Sequence, residues 1–310
     1  MLFKAEIRGC CCVTMSKEDA SCANCGIAEI DDININKLEE DLFAELNKMI
    51  MMRSNAAEVD KETEEAETEE HNVSANCGRD EELFTQPDES HLGECPICFL
   101  PMPLGPQTSK FYSCCSKAIC NGCDYANGMS NGGDRCPFCR EPTPDAEEFD
   151  KNQMERVKAG DPAALRQMGK KRHEEGDYDG AVEYLTKAAA LGDIDAHFNL
   201  SCMYYEGEGV EKDKKKELYH LEEAAIGGHP KARNNLGCYE DRNGNIEKSV
   251  KHFIIAANLG HEGSMKYLWE CYKRGNITKE NLEVTLRTHQ AAIDEMKSPE
   301  REKAEKHKSS

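Results

Sequence analysis

A chain of 310 residues with a formal net charge of −20 and a mean hydropathy of −0.74 has room for about two domains and carries much solvated surface around modest cores. Such a charge repels a nucleic-acid backbone, so no nucleic-acid partner is expected and proteins are favoured. No apolar run reaches the roughly 18 residues of a membrane span, and residues 1–13 lack the apolar stretch of a secretory signal; no membrane partner is expected, and the location expected is cytoplasmic or nuclear.

The 17 cysteines are unevenly placed: five in the first 25 residues, Cys77 alone, eight between 95 and 139, then Cys202, Cys238 and Cys271 far apart. Early in the chain Leu38, Leu42, Leu46, Met49 and Ile50 recur at helical spacing. From Glu58 to Glu70 eight acidic residues and one lysine repel one another. Residues 1–88 are therefore expected to be mostly disordered. Within them Cys22-Ala-Asn-Cys25-Gly26 resembles the first knuckle of a MYND-type zinc finger. Its further ligands are missing between Cys25 and His71, so residues 22–25 read as a remnant.

Residues 89–145 contain Cys95-x-x-Cys98, Cys114-Cys115, Cys120-x-x-Cys123 and Cys136-x-x-Cys139. A Cys-x-x-Cys step lets two thiolates of one tight turn address a single ion, and in a reducing compartment spaced cysteines point to metal rather than disulfides. A redox role would need a thioredoxin-like βαβ context that is absent. Zinc would stabilise a segment too short to build an adequate core, with Ile97, Phe99, Ile119 and Phe138 expected to supply the apolar remainder.

The pattern resembles a RING finger. Cys95-Pro-Ile-Cys98 and Cys136-Pro-Phe-Cys139-Arg140 are similar to its opening and closing knuckles, and Cys115 to Cys123 to its centre. The resemblance implies a small zinc-stabilised α+β module holding two zinc ions in interleaved sets. Cys95, Cys98, Cys120 and Cys123 would hold the first; Cys114, Cys115, Cys136 and Cys139 would hold the second. The adjacent pair departs from the usual spacing and leaves two readings open: both ligate, or one stands by. Closed thiolate sites leave no open coordination position, so no catalytic residue is expected. The resemblance implies instead a ubiquitin ligase that recruits a ubiquitin-conjugating enzyme through Ile97, Pro137 and Arg140. The tryptophan frequent between the sixth and seventh ligands is absent. The alternative is a non-catalytic, zinc-dependent interaction adaptor.

From residue 150 to 275 a repeat takes over. Asp161-x-x-Ala164-x-x-x-Met168-Gly169 is matched by Asp193-x-x-Ala196-x-x-x-Leu200-Ser201, His229-x-x-Ala232-x-x-x-Leu236-Gly237 and His261-x-x-Ser264-x-x-x-Leu268-Trp269. Units close alike, with Leu185…Ala188-Ala189…Gly192, Leu221…Ala224-Ala225…Gly228 and Phe253…Ala256-Ala257…Gly260. Residues four apart share a helix face, and glycine supplies the left-handed turn that ends the second helix. Each unit is then a helix hairpin that buries its face only by stacking. Residues 206–213 insert into the loop of the second unit. This block resembles the Sel-1-like branch of tetratricopeptide-like repeats, implying an all-α solenoid whose surface takes an unidentified client protein. Residues 276–297 are expected to form a capping helix and 298–310 a disordered tail. Cys202, Cys238 and Cys271 read as small core residues.

Overall fold

The computed structural model describes residues 79–308 apart from 80, 106–107, 131–132 and 134. The acidic block, the remnant knuckle at 22–25 and the helical spacing of Leu38 to Ile50 lie outside the described residues.

Strands β1 (Ser109–Tyr112) and β2 (Lys117–Cys120) form an antiparallel hairpin, followed at once by helix α1 (Asn121–Gly128). Two strands of four residues are marginal alone. They are covered by a small core of Met102, Tyr112 and Ile119 set among the cysteines. The expected core needs correcting here: Ile119 is fully buried, but Phe99 is 70% exposed and Ile97 39%. Both lie on the tight turn around the first cysteine pair, whose geometry sends them outward.

Helix α2 (Ala146–Lys158) then leads into the repeats. Helices α3 (Pro162–Glu174) and α4 (Tyr178–Ala190) form the first hairpin, α5 (Ile194–Glu206) and α6 (Lys214–Ile226) the second, and α7 (Pro230–Arg242) and α8 (Ile246–Asn258) the third. Helices α9 (Glu262–Lys273), α10 (Lys279–Glu295) and α11 (Pro299–Lys308) complete the described chain. The repeated sequence positions have one physical job each. Asp161, Asp193, His229 and His261 are N-caps whose side chains accept the backbone N–H three residues on. The closing glycines are left-handed, with φ of +86° at Gly192, +82° at Gly228 and +87° at Gly260. Insertion 206–213 forms the loop between α5 and α6, which Gly207 opens at φ +78°.

Residues 81–88 and 299–308 lie in segments expected to be mostly disordered or a disordered tail, and both are ordered. Residues 81–91 form a strap on the repeats. Leu83 is buried in one cluster with Phe198, Leu221 and Leu236, and fully buried Arg233 donates to the carbonyls of Leu83 and Thr85. Phe84 lies 4.8 Å from the ring of His252. Acidity set the expectation for residues 1–88, but Leu83 and Phe84 are apolar anchors with a groove to fill. Residues 299–308 form α11, with Pro299 and acidic residues in its first turn and basic residues in its last, an order that suits the helix dipole. Arg301 and Ala304 are buried, and α11 packs on α1 of the cysteine segment.

Histidines make the repeats acid-sensitive. Burial holds His229 down at about 4, and His252 at about 3, the latter beside Arg233 and Lys248. His261 is also lowered to about 4, first by burial and then by Lys231. Each folded value lies below the unfolded value, so the unfolded chain binds more protons between them and stability falls as pH drops. We expect urea-unfolding stability to decline from about pH 6.5 towards pH 4, at up to about 1.4 kcal/mol per pH unit from each group. A flat profile over that range would contradict neutral burial.

Candidate metal centre

Two knuckles of the same build hold the outer cysteines. Cys95 N donates to Leu100 O and Phe99 N to Cys95 O; Cys136 N donates to Glu141 O and Arg140 N to Cys136 O. In both, the residue after the second cysteine is left-handed without being glycine: Phe99 at φ +56° and Arg140 at +63°. That turn aims successive thiols and backbone N–H groups at one point. Cys120 ends β2 and Cys123 lies in the first turn of α1.

Cys114 and Cys115 sit in the turn between β1 and β2, where Cys115 N donates to Tyr112 O. A strand would send adjacent side chains to opposite faces; the turn does not, so both converge. The sulfurs of Cys95, Cys98, Cys120 and Cys123 lie within 4.8 Å of one another, as do those of Cys114, Cys115, Cys136 and Cys139. Cys98 and Cys120 sulfurs are 3.8 Å apart, Cys115 and Cys136 3.9 Å, and Cys114 and Cys139 3.5 Å. A tetrahedral zinc with bonds of about 2.3 Å has sulfur–sulfur edges of roughly 3.8 Å. The donor set therefore fits two tetrahedral ions, one per quartet.

The electrostatics agree with that fit. Burial, then hydrogen bonds and charge from neighbouring thiols, push Cys114 and Cys123 well above the ordinary thiol range. Burial would raise Cys95 too, but backbone N–H groups of Cys120, Cys98 and Ile97 bring it down to about 7. Four thiolates cannot crowd together without a cation, whereas a divalent ion would displace their protons.

The three residues expected to meet a conjugating enzyme are all at the surface of the knuckles. Ile97 is exposed, Pro137 half-buried and Arg140 exposed, with the Arg140 carbonyl accepting from Arg135 Nη1 at 3.0 Å. Phe99, expected in the core, and Met129, not singled out in the sequence, are exposed by 70% and 71%. No sequence signal marks them as surface residues; their exposure is set by the local backbone of the structure.

Outside the cysteine segment, a model of the Sel1 repeat matches residues 162–193, 194–229 and 230–261. These three units are Sel1 repeats. Helicobacter pylori HcpC, whose name marks it as a candidate beta-lactamase, is 43% identical over 56 residues in strain J99, covering 18% of this chain and 19% of that protein. In strain 26695 it is 42% identical over 52 residues, covering 17% and 18%. The chain thus spans about a fifth of these relatives. A Sel1 repeat protein from Oxalobacter formigenes is similar in structure at 21% identity and TM-score 0.43, over 55% of this chain and 71% of that one. The Escherichia coli protective antigen c5321 is similar at 25% identity and TM-score 0.40, over 47% and 33%. Sel1 repeats point to a protein–protein interaction scaffold. Among the described residues no helix is long and apolar enough to cross a membrane.

A third polar cluster joins the strap to the Sel1 repeats. His91 Nε2 lies 3.1 Å from Asp195 Oδ1, and His229 Nε2 lies 3.6 Å from the same atom. His229 Nδ1 accepts from Ala232 N, so its proton sits on Nε2 and faces the carboxylate. Arg166 Nη1 holds the other oxygen at 3.2 Å. Burial would raise the Asp195 pKa, but bonds from His229 and His91 and the charge of Arg166 hold it well below the carboxylate range. With His229 protonated on the atom a metal would need, this is an ion-paired junction rather than a metal site.

Proposed function

We propose that residues 89–145 are a RING-like module holding two zinc ions, and that the chain is a ubiquitin ligase whose Sel1 repeats take the client. The observation that carries this reading is the interleaving of two tetrathiolate quartets with zinc-sized spacing. The first quartet joins Cys95 and Cys98 to Cys120 and Cys123, the second joins Cys114 and Cys115 to Cys136 and Cys139, so the two ions would cross-brace the segment. Zinc supplies structure only, because four thiolates close the coordination sphere. Activity then comes from proximity: the module would hold a conjugating enzyme and its ubiquitin thioester near the client. The exposed apolar set Ile97, Phe99 and Met129 would form that contact, with Pro137 beside it and Arg140 placed to bridge to ubiquitin through its planar fork.

The test is chain formation by purified protein with ubiquitin, ATP, activating enzyme and a panel of conjugating enzymes. Ubiquitin chains are expected, and Ile97→Ala should abolish them while zinc content stays unchanged. Normal activity in that variant would remove Ile97 from the contact. One observation favours an adaptor instead: the stretch between Cys123 and Cys136 lacks tryptophan. Two bound zinc ions with no affinity for any conjugating enzyme would favour that second reading.

A further inference from the structure

We propose that the last helix completes the first cysteine quartet, with Arg301 as the counter-cation of its metal thiolates; this rests on the zinc reading above. Arg301 is only 6% exposed. Its Nη2 lies 3.5 Å from Cys98 Sγ and 3.4 Å from Leu100 O. Its Nη1 lies 2.8 Å from Pro101 O and 2.6 Å from Met296 O. One guanidinium therefore grips a ligand sulfur, two carbonyls of the knuckle that presents it, and the end of α10.

The charge argument is direct. Four thiolates around a divalent ion leave a net charge of about −2, and Cys95 and Cys120 of this quartet are buried. A buried dianion without a nearby cation is costly. Arginine stays protonated and its fixed fork reaches sulfur and carbonyls together, which a lysine ammonium cannot do. Arg156 reaches the other quartet through the Cys114 carbonyl, and Cys139 of that quartet is exposed, so water can screen it.

The fold makes room for this contact. A Cβ at Gly122, between ligands Cys120 and Cys123, would lie 2.7 Å from Arg301 N and 2.8 Å from its Cγ. Glycine there lets α11 approach α1 at backbone distance. Ser298 Oγ accepts from Arg301 N at 3.2 Å, and Tyr125 meets His307 at 5.4 Å between ring centres. Metal retention at the first quartet and docking of α11 are consequently one equilibrium, and loosening either loosens the other.

The experiment follows zinc release from the full-length protein into excess colorimetric chelator, with cadmium-113 resonances of the cadmium-loaded protein to separate the two sites. Wild type is expected to release two ions per chain. Arg301→Gln should speed loss of one ion by about 10- to 100-fold, move one cadmium resonance and leave the other ion at its wild-type rate. Arg301→Lys should fall between. Ala304→Gln, which undocks α11 with Arg301 intact, should speed the same ion and decides the matter should Arg301→Gln lose its helical circular dichroism. Wild-type release rates for both ions in the folded variants, or equal acceleration of both, would overturn the proposal. Fewer than two ions in wild type would instead remove the zinc reading beneath it.

Discussion

On the zinc reading proposed above, stripping the metal should unfold residues 89–145 and leave the Sel1 repeats helical. The segment has a hairpin of two four-residue strands and one eight-residue helix. Its core outside the cysteines is Met102, Tyr112 and Ile119, far less than a domain of this size needs. Structural zinc contributes about 10–16 kcal/mol in small metal-folded units, more than such a core can replace. Without metal, four thiols in each quartet would retain protons and pack as poor substitutes. Limited proteolysis after chelation should cut between residues 93 and 145 while far-ultraviolet circular dichroism keeps most of its helical signal. The proposed zinc binding should also weaken on acidification, since the ion must displace protons from thiols such as Cys114 and Cys123, whose burial makes them hold those protons tightly. A chelated protein whose cysteine segment stays protected would show that packing against α11 and the Arg156 bond from α2 suffice.

The second large effect lies in the third Sel1 repeat. Phe253 on α8 is 1% exposed and stacks on Tyr267 of α9 at 4.7 Å with 3° between the rings. Its other side meets Gly237 of α7, where an added Cβ would lie 2.6 Å from the ring. The ring therefore joins both helices of its own unit to the next one. Phe253→Ala would empty that junction and should cost about 3–5 kcal/mol. A solenoid is held by contacts between neighbouring units, so α9 and α10 should lose protection from hydrogen exchange first. A loss below about 1 kcal/mol in urea unfolding would mean that the site collapses around the gap.

Much of this architecture is legible in short-range pattern. Ala196 and Leu200, or Ala232 and Leu236, announce a helix face because the contact they make repeats within a few residues. His229 and His261 stand where aspartate caps the other units, and the imidazole Nδ1 accepts the same N–H. Three Cys-x-x-Cys steps, each a single turn, announce pairs of metal ligands, while which pairs would share an ion was implied only by the resemblance to a RING finger. Cys114 and Cys115 were left open by spacing, since their convergence depends on a hairpin turn rather than on a strand.

What was not legible depended on distant partners. Residues 81–88 look like the end of an acidic tail until Arg233, 150 residues on, meets the Leu83 carbonyl. Phe99 reads as core from its apolarity, but a left-handed backbone turns it outward. The sequence alone therefore determined the elements whose contacts are local and repeated: the Sel1 hairpins with their caps and turns, and the knuckles that bear the thiols. Only the tertiary structure decided that the strap preceding the cysteine segment is pinned to the repeats and that α11 packs on α1 of that segment. It also decided that Arg301 lies against a sulfur 203 residues away. The physical reason is that such contacts leave no periodic trace; they are selected by which buried charges and apolar anchors find a partner once the chain has closed.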